Sequence, residues 1–198
     1  MDYEQIQNIT KKVEEVLSEN PKRFRHSLGV ADTAMCLAAC HGADMLKAYT
    51  AGILHDNAKY IDYDKQIKMC DDLGMGITRI ERDNPYLLHA KVGAYLAGEK
   101  FGINDLSITE AIKWHTTGKP AMNKIEMIIF IADYIEPMRH TAKNLEDIRK
   151  TAFISLEETV FKILGDTLDL LKAKGRTIDL MTKEAYEYYK DKLSGKEF

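Results

Sequence analysis

The chemistry available to this chain rests on histidine and aspartate. Of its six histidines, His26, His55, His89 and His115 fall in polar words within helical stretches, and His55 is followed directly by Asp56. Asp133 sits inside the apolar run IEMIIFIADYIEP. Neutral imidazoles and carboxylates bind divalent metals, and a nitrogen and oxygen donor set without sulfur suits iron, manganese, zinc, cobalt or nickel. On a helix, neighbours such as His55 and Asp56 leave the axis about 100° apart, so one can be a terminal ligand while the other bridges. Two metals about 3.5–4 Å apart can hold a hydroxide and clamp a phosphoryl oxygen. Without a metal, a buried Asp133 would need an ion pair, with Arg23 or Arg139 as the candidates. His41 and His140 read as ordinary: His41 precedes Gly42 at a helix end, where a cation suits the dipole.

The elements that must position these residues are helices. Tyr3, Ile6, Ile9, Val13, Val16 and Leu17 recur at steps of three and four, one face of a first helix capped by Asp2 with Gln5 and stopped at Asn20-Pro21. A second helix is expected at about 24–40, with Leu28, Ala31, Ala34, Met35 and Ala38 inward and Gly42 closing it. A third covers about 44–58. Two helices joined by a short turn run antiparallel. His26, in the first turn of one, then lies beside His55 and Asp56, in the last turn of the next.

The pattern repeats. After a helix at about 64–73 and a helical turn within 77–85, a helix at about 86–101 carries His89 near its start. The following helix, with Ser107 and Glu110 as its capping box, ends near His115. Asn123 caps a helix at 124–136 that Pro137 ends and that carries Asp133. Helices at about 144–150, from Ser155 to Gly175, and at 182–193 complete the chain. The only alternating stretch is 177–180, so the fold class is all-α, one domain over residues 1–198.

Composition narrows the function. The 198 residues are 45% apolar and 30% charged, with net charge −3, which excludes a disordered chain and a broad nucleic-acid surface. Nucleic acid and membrane are not expected as partners, and the apolar C-terminal helices suit a second copy as homodimer. Three cysteines, an odd count without a C-x-x-C pair, and an N-terminus without an apolar signal core point to the cytoplasm. Cys36 and Cys40 are one helical turn apart and read as small core residues. Tyr186, Tyr188 and Tyr189 read as a packing helix.

The words around the ligand candidates carry a family likeness. RFRHSLGVADTA (23–34), LHDNAK (54–59), LLHAKVGAYL (87–96), HTTGKP (115–120) and IADYIEPMR (131–139) resemble the HD-domain metal phosphohydrolases, in particular the YqeK group of symmetrical diadenosine tetraphosphate hydrolases. The resemblance implies that His26, His55, Asp56 and Asp133 hold one metal. His89 and His115 would hold a second, with Asp56 bridging. It also implies iron, as a dinuclear centre, and attack at a β-phosphorus to release two ADP. Two positions depart from the pattern: Asn57 stands where an aromatic is expected, and Lys91 where a proline is.

A polyanionic substrate needs local positive charge. Lys59, one turn beyond Asp56, and Arg139 are assigned to assist charge on the phosphoryl oxygens, alongside Asp56. Arg23 and Arg139 suit bidentate phosphate contacts. Thr117 offers a hydroxyl and Gly118 an open amide beside His115, while Lys119 adds charge or is merely solvated. The same constellation also fits a phosphohydrolase of other nucleotides or guanosine polyphosphates. A different class of reading is an HD module kept for nucleotide signalling with its chemistry lost.

Overall fold

A computed structural model describes residues 2–195. Among these the secondary structure is helical, with no strand. In chain order the helices are α1 (Tyr3–Val16), α2 (Pro21–His41), α3 (Met45–Leu54), α4 (Tyr63–Asp72), α5 (Arg79–Asp83), α6 (Leu88–Phe101), α7 (Leu106–Trp114), α8 (Lys124–Ile135), α9 (Leu145–Ala152), α10 (Leu156–Ala173) and α11 (Leu180–Leu193), with a 3₁₀ turn at Pro85–Leu87. The stretch 177–180 forms no strand.

The α2–α3 hairpin is built from small residues. Ala31, Ala34 and Ala38 of α2 and Ala48, Ala51 and Gly52 of α3 are all buried. Backbones can approach closely where side chains are this small: a Cβ added at Gly52 would lie 2.7 Å from the Ala31 Cα. That closeness brings the start of α2 against the end of α3. The α6–α7 hairpin does the same for its own ends, after Gly102 reverses the chain at φ 71°. Helix α8 runs through the middle; residues 125–132 are buried without interruption, against α2, α3, α7 and α10. Burying large aliphatic side chains such as Ile128, Ile129 and Ile131 contributes about 1.5–3 kcal/mol each. Helices α10 and α11 close the bundle, with the Tyr189 hydroxyl accepting from the Met122 N–H at 3.0 Å and Tyr186 stacked on Phe161. A smaller core of Ala58, Cys70, Leu88, Val92 and Leu96 joins α4 to α6.

The capping box at Asp2–Gln5 forms and Asn123 caps α8, both as expected, with Glu126 completing a second box there, and Gly42 ends α2 at φ 63°. Other local readings are corrected. Asn20-Pro21 opens α2 rather than merely stopping α1: Asn20 caps it and Pro21 stands at its first turn, where no N–H is needed. His26 therefore lies one turn further in. Asp105, not Ser107, caps α7, accepting from the Ser107 N–H, because the aspartate is the stronger acceptor and lies two residues earlier. Helix α3 stops at Leu54, so His55 is its C-cap and Asp56 follows in a turn. Tyr3 is 71% exposed, outside the buried stripe of α1. Cys36 and Cys40 are exposed on α2, not core, because the buried face of that helix is its alanine and leucine side.

Candidate metal centre

Four imidazoles line up at one end of the bundle. The ring centroids are 5.2 Å apart for His26 and His55, 5.0 Å for His55 and His115, and 5.0 Å for His89 and His115. Each ring is oriented through Nδ1. His55 Nδ1 lies 2.7 Å from the Gly52 carbonyl, His89 Nδ1 2.5 Å from that of Tyr86, and His115 Nδ1 2.7 Å from that of Ile112. A carbonyl only accepts, so these nitrogens carry the proton and Nε2 presents a lone pair. His26 Nδ1 likewise faces Glu136 Oε1 at 3.2 Å.

The four Nε2 atoms converge on two carboxylates. His26 Nε2 is 3.1 Å from Asp133 Oδ1, and His55 Nε2 is 4.0 Å from the same oxygen. Asp56 divides its oxygens: Oδ2 lies 3.4 Å from His55 Nε2 and 3.9 Å from His26 Nε2, while Oδ1 lies 3.3 Å from His89 Nε2 and 3.7 Å from His115 Nε2. One carboxylate thus faces two histidine pairs, the arrangement a bridging ligand requires. The donors form three overlapping groups, each with its ligand atoms within 4.8 Å of one another: His26–His55–Asp56, His55–His115–Asp133 and Asp56–His89–His115.

This donor set fits a divalent metal. His55 Nε2 is buried and makes no hydrogen bond, an orphan that a cation would satisfy. Donors about 2.0–2.2 Å from a metal lie within about 4.4 Å of one another, close to the spacings found. Burial opposes charge on Asp56, but His55 and His89 outweigh it and hold the carboxyl well below its ordinary range. Asp133 is lowered too; burial again opposes, and the His26 hydrogen bond and the His55 charge prevail. Burial, with His89 and His55 nearby, pushes His115 down to about 3, so it stays neutral and able to ligate. For His55, burial acts downward but the charge of the Asp56 carboxylate, 3.4 Å from Nε2, leaves the pKa raised. A proton and a metal therefore compete for its Nε2.

The cationic residues fall into place around this cluster. Arg23 Nη1 pairs with Asp56 Oδ2 at 2.6 Å, and Arg139 Nη2 with Asp133 Oδ1 at 3.0 Å. The ion pair expected of a metal-free Asp133 is thus made, by Arg139. A cavity of about 370 Å³ opens here, lined by Lys22, Arg23, His26, Arg139 and His140 among others. Lys59 is lowered by burial, with the Asp56 charge opposing and the Arg23 charge adding to the effect. Lys119 is neither free nor merely solvated: it pairs with the buried Glu126 at 2.9 Å. His41 Nε2 binds the Ala152 carbonyl at 2.7 Å, a structural bond between α2 and α9.

Gly118 departs from expectation. Its N–H donates to the Trp114 carbonyl at 2.9 Å, and the residue is buried against Phe130 and Leu164, so its amide is not open to a ligand. The Thr117 hydroxyl donates to the Gly118 carbonyl at 3.0 Å.

Two neighbours of the cluster had no signal in the sequence. Thr116 Oγ1 lies 3.1 Å from His115 Nε2 and 3.3 Å from His89 Nε2. Glu136 is buried, holds His26 through Oε1 and accepts from the Met138 N–H through Oε2 at 2.7 Å. Asn57, in the aromatic's place, is buried and donates to the Gly93 carbonyl at 3.1 Å, tying the Asp56 turn to α6. Lys91, in the proline's place, bridges Glu81 at 2.7 Å and the Gly76 carbonyl at 2.8 Å.

Residues 23–138 match the HD domain, the span from Arg23 through Asp133 that carries every donor above. The chain belongs to the HD-domain family. This HD-domain protein is 38% identical over 186 residues to the symmetrical bis(5'-nucleosyl)-tetraphosphatase of Staphylococcus aureus, covering 93% of this chain and 94% of the relative. It is 36% identical over 166 residues to the enzyme of the same name from Bacillus subtilis, covering 84% and 87%. Its fold superposes with a TM-score of 0.88 on a Clostridium acetobutylicum crystal structure described as an HD superfamily hydrolase involved in NAD metabolism. That pair is 38% identical over 92% of this chain and 97% of the other. The YqeK-type resemblance read from the words at 23–139 therefore extends over most of the chain. Among the described residues no helix is long and apolar enough to cross a membrane.

Proposed function

We propose that this HD-domain protein is a metal-dependent hydrolase that cleaves diadenosine tetraphosphate symmetrically to two ADP. The observation that carries the reading is Asp56, whose two oxygens face two separate histidine pairs. Its support is the similarity, over nearly full length, to relatives named for this activity.

His26, His55, Asp56 and Asp133 would hold one metal, and His89 and His115 the second, with Asp56 between them. Iron is the metal the family likeness favours; manganese, cobalt, nickel or zinc suit the same donors. In this donor set a divalent metal supplies Lewis-acid activation of water and of a phosphoryl oxygen. The chain's own groups do the rest. Arg23 and Arg139, held at the cluster by Asp56 and Asp133, exchange carboxylate for phosphate contacts when a polyanion enters. Lys59, an exposed residue whose amine still feels the Asp56 charge, adds a point charge toward the leaving diphosphate. The leaving group is a nucleoside diphosphate, which needs no strong general acid, and none is assigned.

The test is anaerobic purification with metal analysis, followed by chromatography of products from diadenosine tetraphosphate. Bound metal with ADP as sole product supports the reading. ATP with AMP, free phosphate, or no turnover by metal-loaded protein overturns it.

A further inference from the structure

Asp56 can face both histidine pairs only if two hairpins are held in register. His26 and His55 belong to the α2–α3 hairpin, His89 and His115 to the α6–α7 hairpin, and Asp56 turns one oxygen to each side. Asp56 itself follows α3 in a turn. That turn is closed by short-range bonds, from the Asn57 N–H to the Leu54 carbonyl and from the Lys59 N–H to the Asp56 carbonyl, both at 3.0 Å. Such bonds shape the turn but do not set its distance from α6.

Asn57 supplies that link. It is buried, and its Nδ2 donates to the Gly93 carbonyl at 3.1 Å. Gly93 stands one turn after His89 on α6. A Cβ added at Gly93 would lie 3.2 Å from Asn57 Oδ1, 3.4 Å from Ile112 Cγ2 and 3.6 Å from the His55 carbonyl oxygen. The Ile112 carbonyl is the one that orients His115 through Nδ1. The Asp56 turn, α6 and α7 therefore meet at one point, and together they carry His55, Asp56, His89 and His115. Stability alone gives no reason for an amide here. Asn57 Oδ1 is buried without a hydrogen-bond partner, a cost that an apolar side chain of similar size avoids. Resting on the two-metal arrangement proposed above, we infer that Asn57 is a positioning residue: by holding the Asp56 turn to α6 at Gly93, it sets how Asp56 divides its oxygens between the two histidine pairs. It acts through Asp56 and His89, not on the reacting atoms.

The test counts metal rather than turnover. Protein loaded with manganese(II), which suits these donors, is dialysed against rising EDTA. Elemental analysis gives the metal retained per chain, and circular dichroism checks the helices. Wild type should hold two ions. Asn57→Leu should release one of them at an EDTA concentration about tenfold lower or less, and hold the other as wild type does. Gly93→Ala, which crowds Asn57 Oδ1 from the α6 side, should act alike. In a His115→Ala background, which lacks the α6–α7 ion, Asn57→Leu should change nothing further. A purely structural role would instead loosen both ions together and add to the effect of His115→Ala. Equal retention by Asn57→Leu and wild type, equal loss of both ions, or an added loss in the His115→Ala background overturns the inference, as does wild type that holds a single ion. If Asn57→Leu loses its helical signal, Gly93→Ala decides; loss of that signal in both variants overturns the inference in favour of a structural role. The proposed reaction fails separately: products other than ADP from metal-loaded wild type overturn the reaction and leave the metal counts, and with them the role of Asn57, standing.

Discussion

The Nε2 atoms of His89 and His115 face each other at 3.1 Å. Both rings carry their proton on Nδ1, which is committed to a backbone carbonyl. Two lone pairs at that distance repel, burial and the neighbouring imidazoles push His115 down to about 3, and the Thr116 hydroxyl beside the pair has a single proton for two acceptors. The α6–α7 hairpin holds the pair together regardless, which makes a cation the natural complement.

Replacing His115 by Ala should therefore leave one metal fewer per chain than wild type, measured by elemental analysis. Asp56→Ala should remove both metal and turnover, since Asp56 faces all four imidazoles. A fully active Asp56→Ala protein would sink the mechanism.

Glu136 acts on the centre only through His26. Glu136→Ala frees that ring and should lower metal affinity about 10–100-fold, as loss of such supporting groups does. Competition against a chelator measures it. Glu136→Gln keeps an acceptor for Nδ1–H and should recover most of the loss.

Gly52→Ala sets two effects against each other. Helix propensity favours alanine by about 1 kcal/mol. The new Cβ, however, would meet the Ala31 Cα at 2.7 Å and the Ala31 N at 3.0 Å, backbone atoms that cannot step aside. We expect a net loss of about 3 kcal/mol in denaturant unfolding. Metal content should fall as well, because α2 and α3 must separate and carry His26 from His55.

Asp105 gives a pH dependence away from the centre. The Lys47 hydrogen bond, with Ser107 adding, lowers its carboxyl to about 2 from an ordinary 3.8. A lowered folded-state pKa means the contribution is complete above about pH 3.8 and is lost as pH falls through about 2. Asp105→Ala removes the α7 cap and should cost about 1 kcal/mol at neutral pH. The accompanying Lys47 pair is solvent-exposed and adds little. Urea unfolding at pH 7 and pH 2 checks this: the gap between variant and wild type should shrink at the lower pH.

Much of this was legible in the letters. Apolar spacing and capping residues marked the helices, because their signals are local: Asp2 with Gln5 and Asn123 with Glu126 act within one turn. The order of the ligand-bearing words carried the cluster, because a short turn forces antiparallel neighbours and so brings His26 to His55. Misreadings arose where several local readings compete. Asp105 and Ser107 are both good caps, and only the path of the chain into α7 selects between them. Cys36 and Cys40 are small and apolar enough for a core, but the side of α2 that is buried is set by α3 and α8.

The sequence by itself determined the fold class and the grouping of the candidate His and Asp residues at helix ends, since these follow from periodicity, turn length and side-chain chemistry. Tertiary structure alone decided how Asp56 divides its oxygens, that Glu136 holds His26, that Thr116 rather than Gly118 touches the cluster, and that Asn57 reaches the Gly93 carbonyl. Each of those depends on the distance between atoms of helices far apart in the chain, which packing sets and local spacing does not encode.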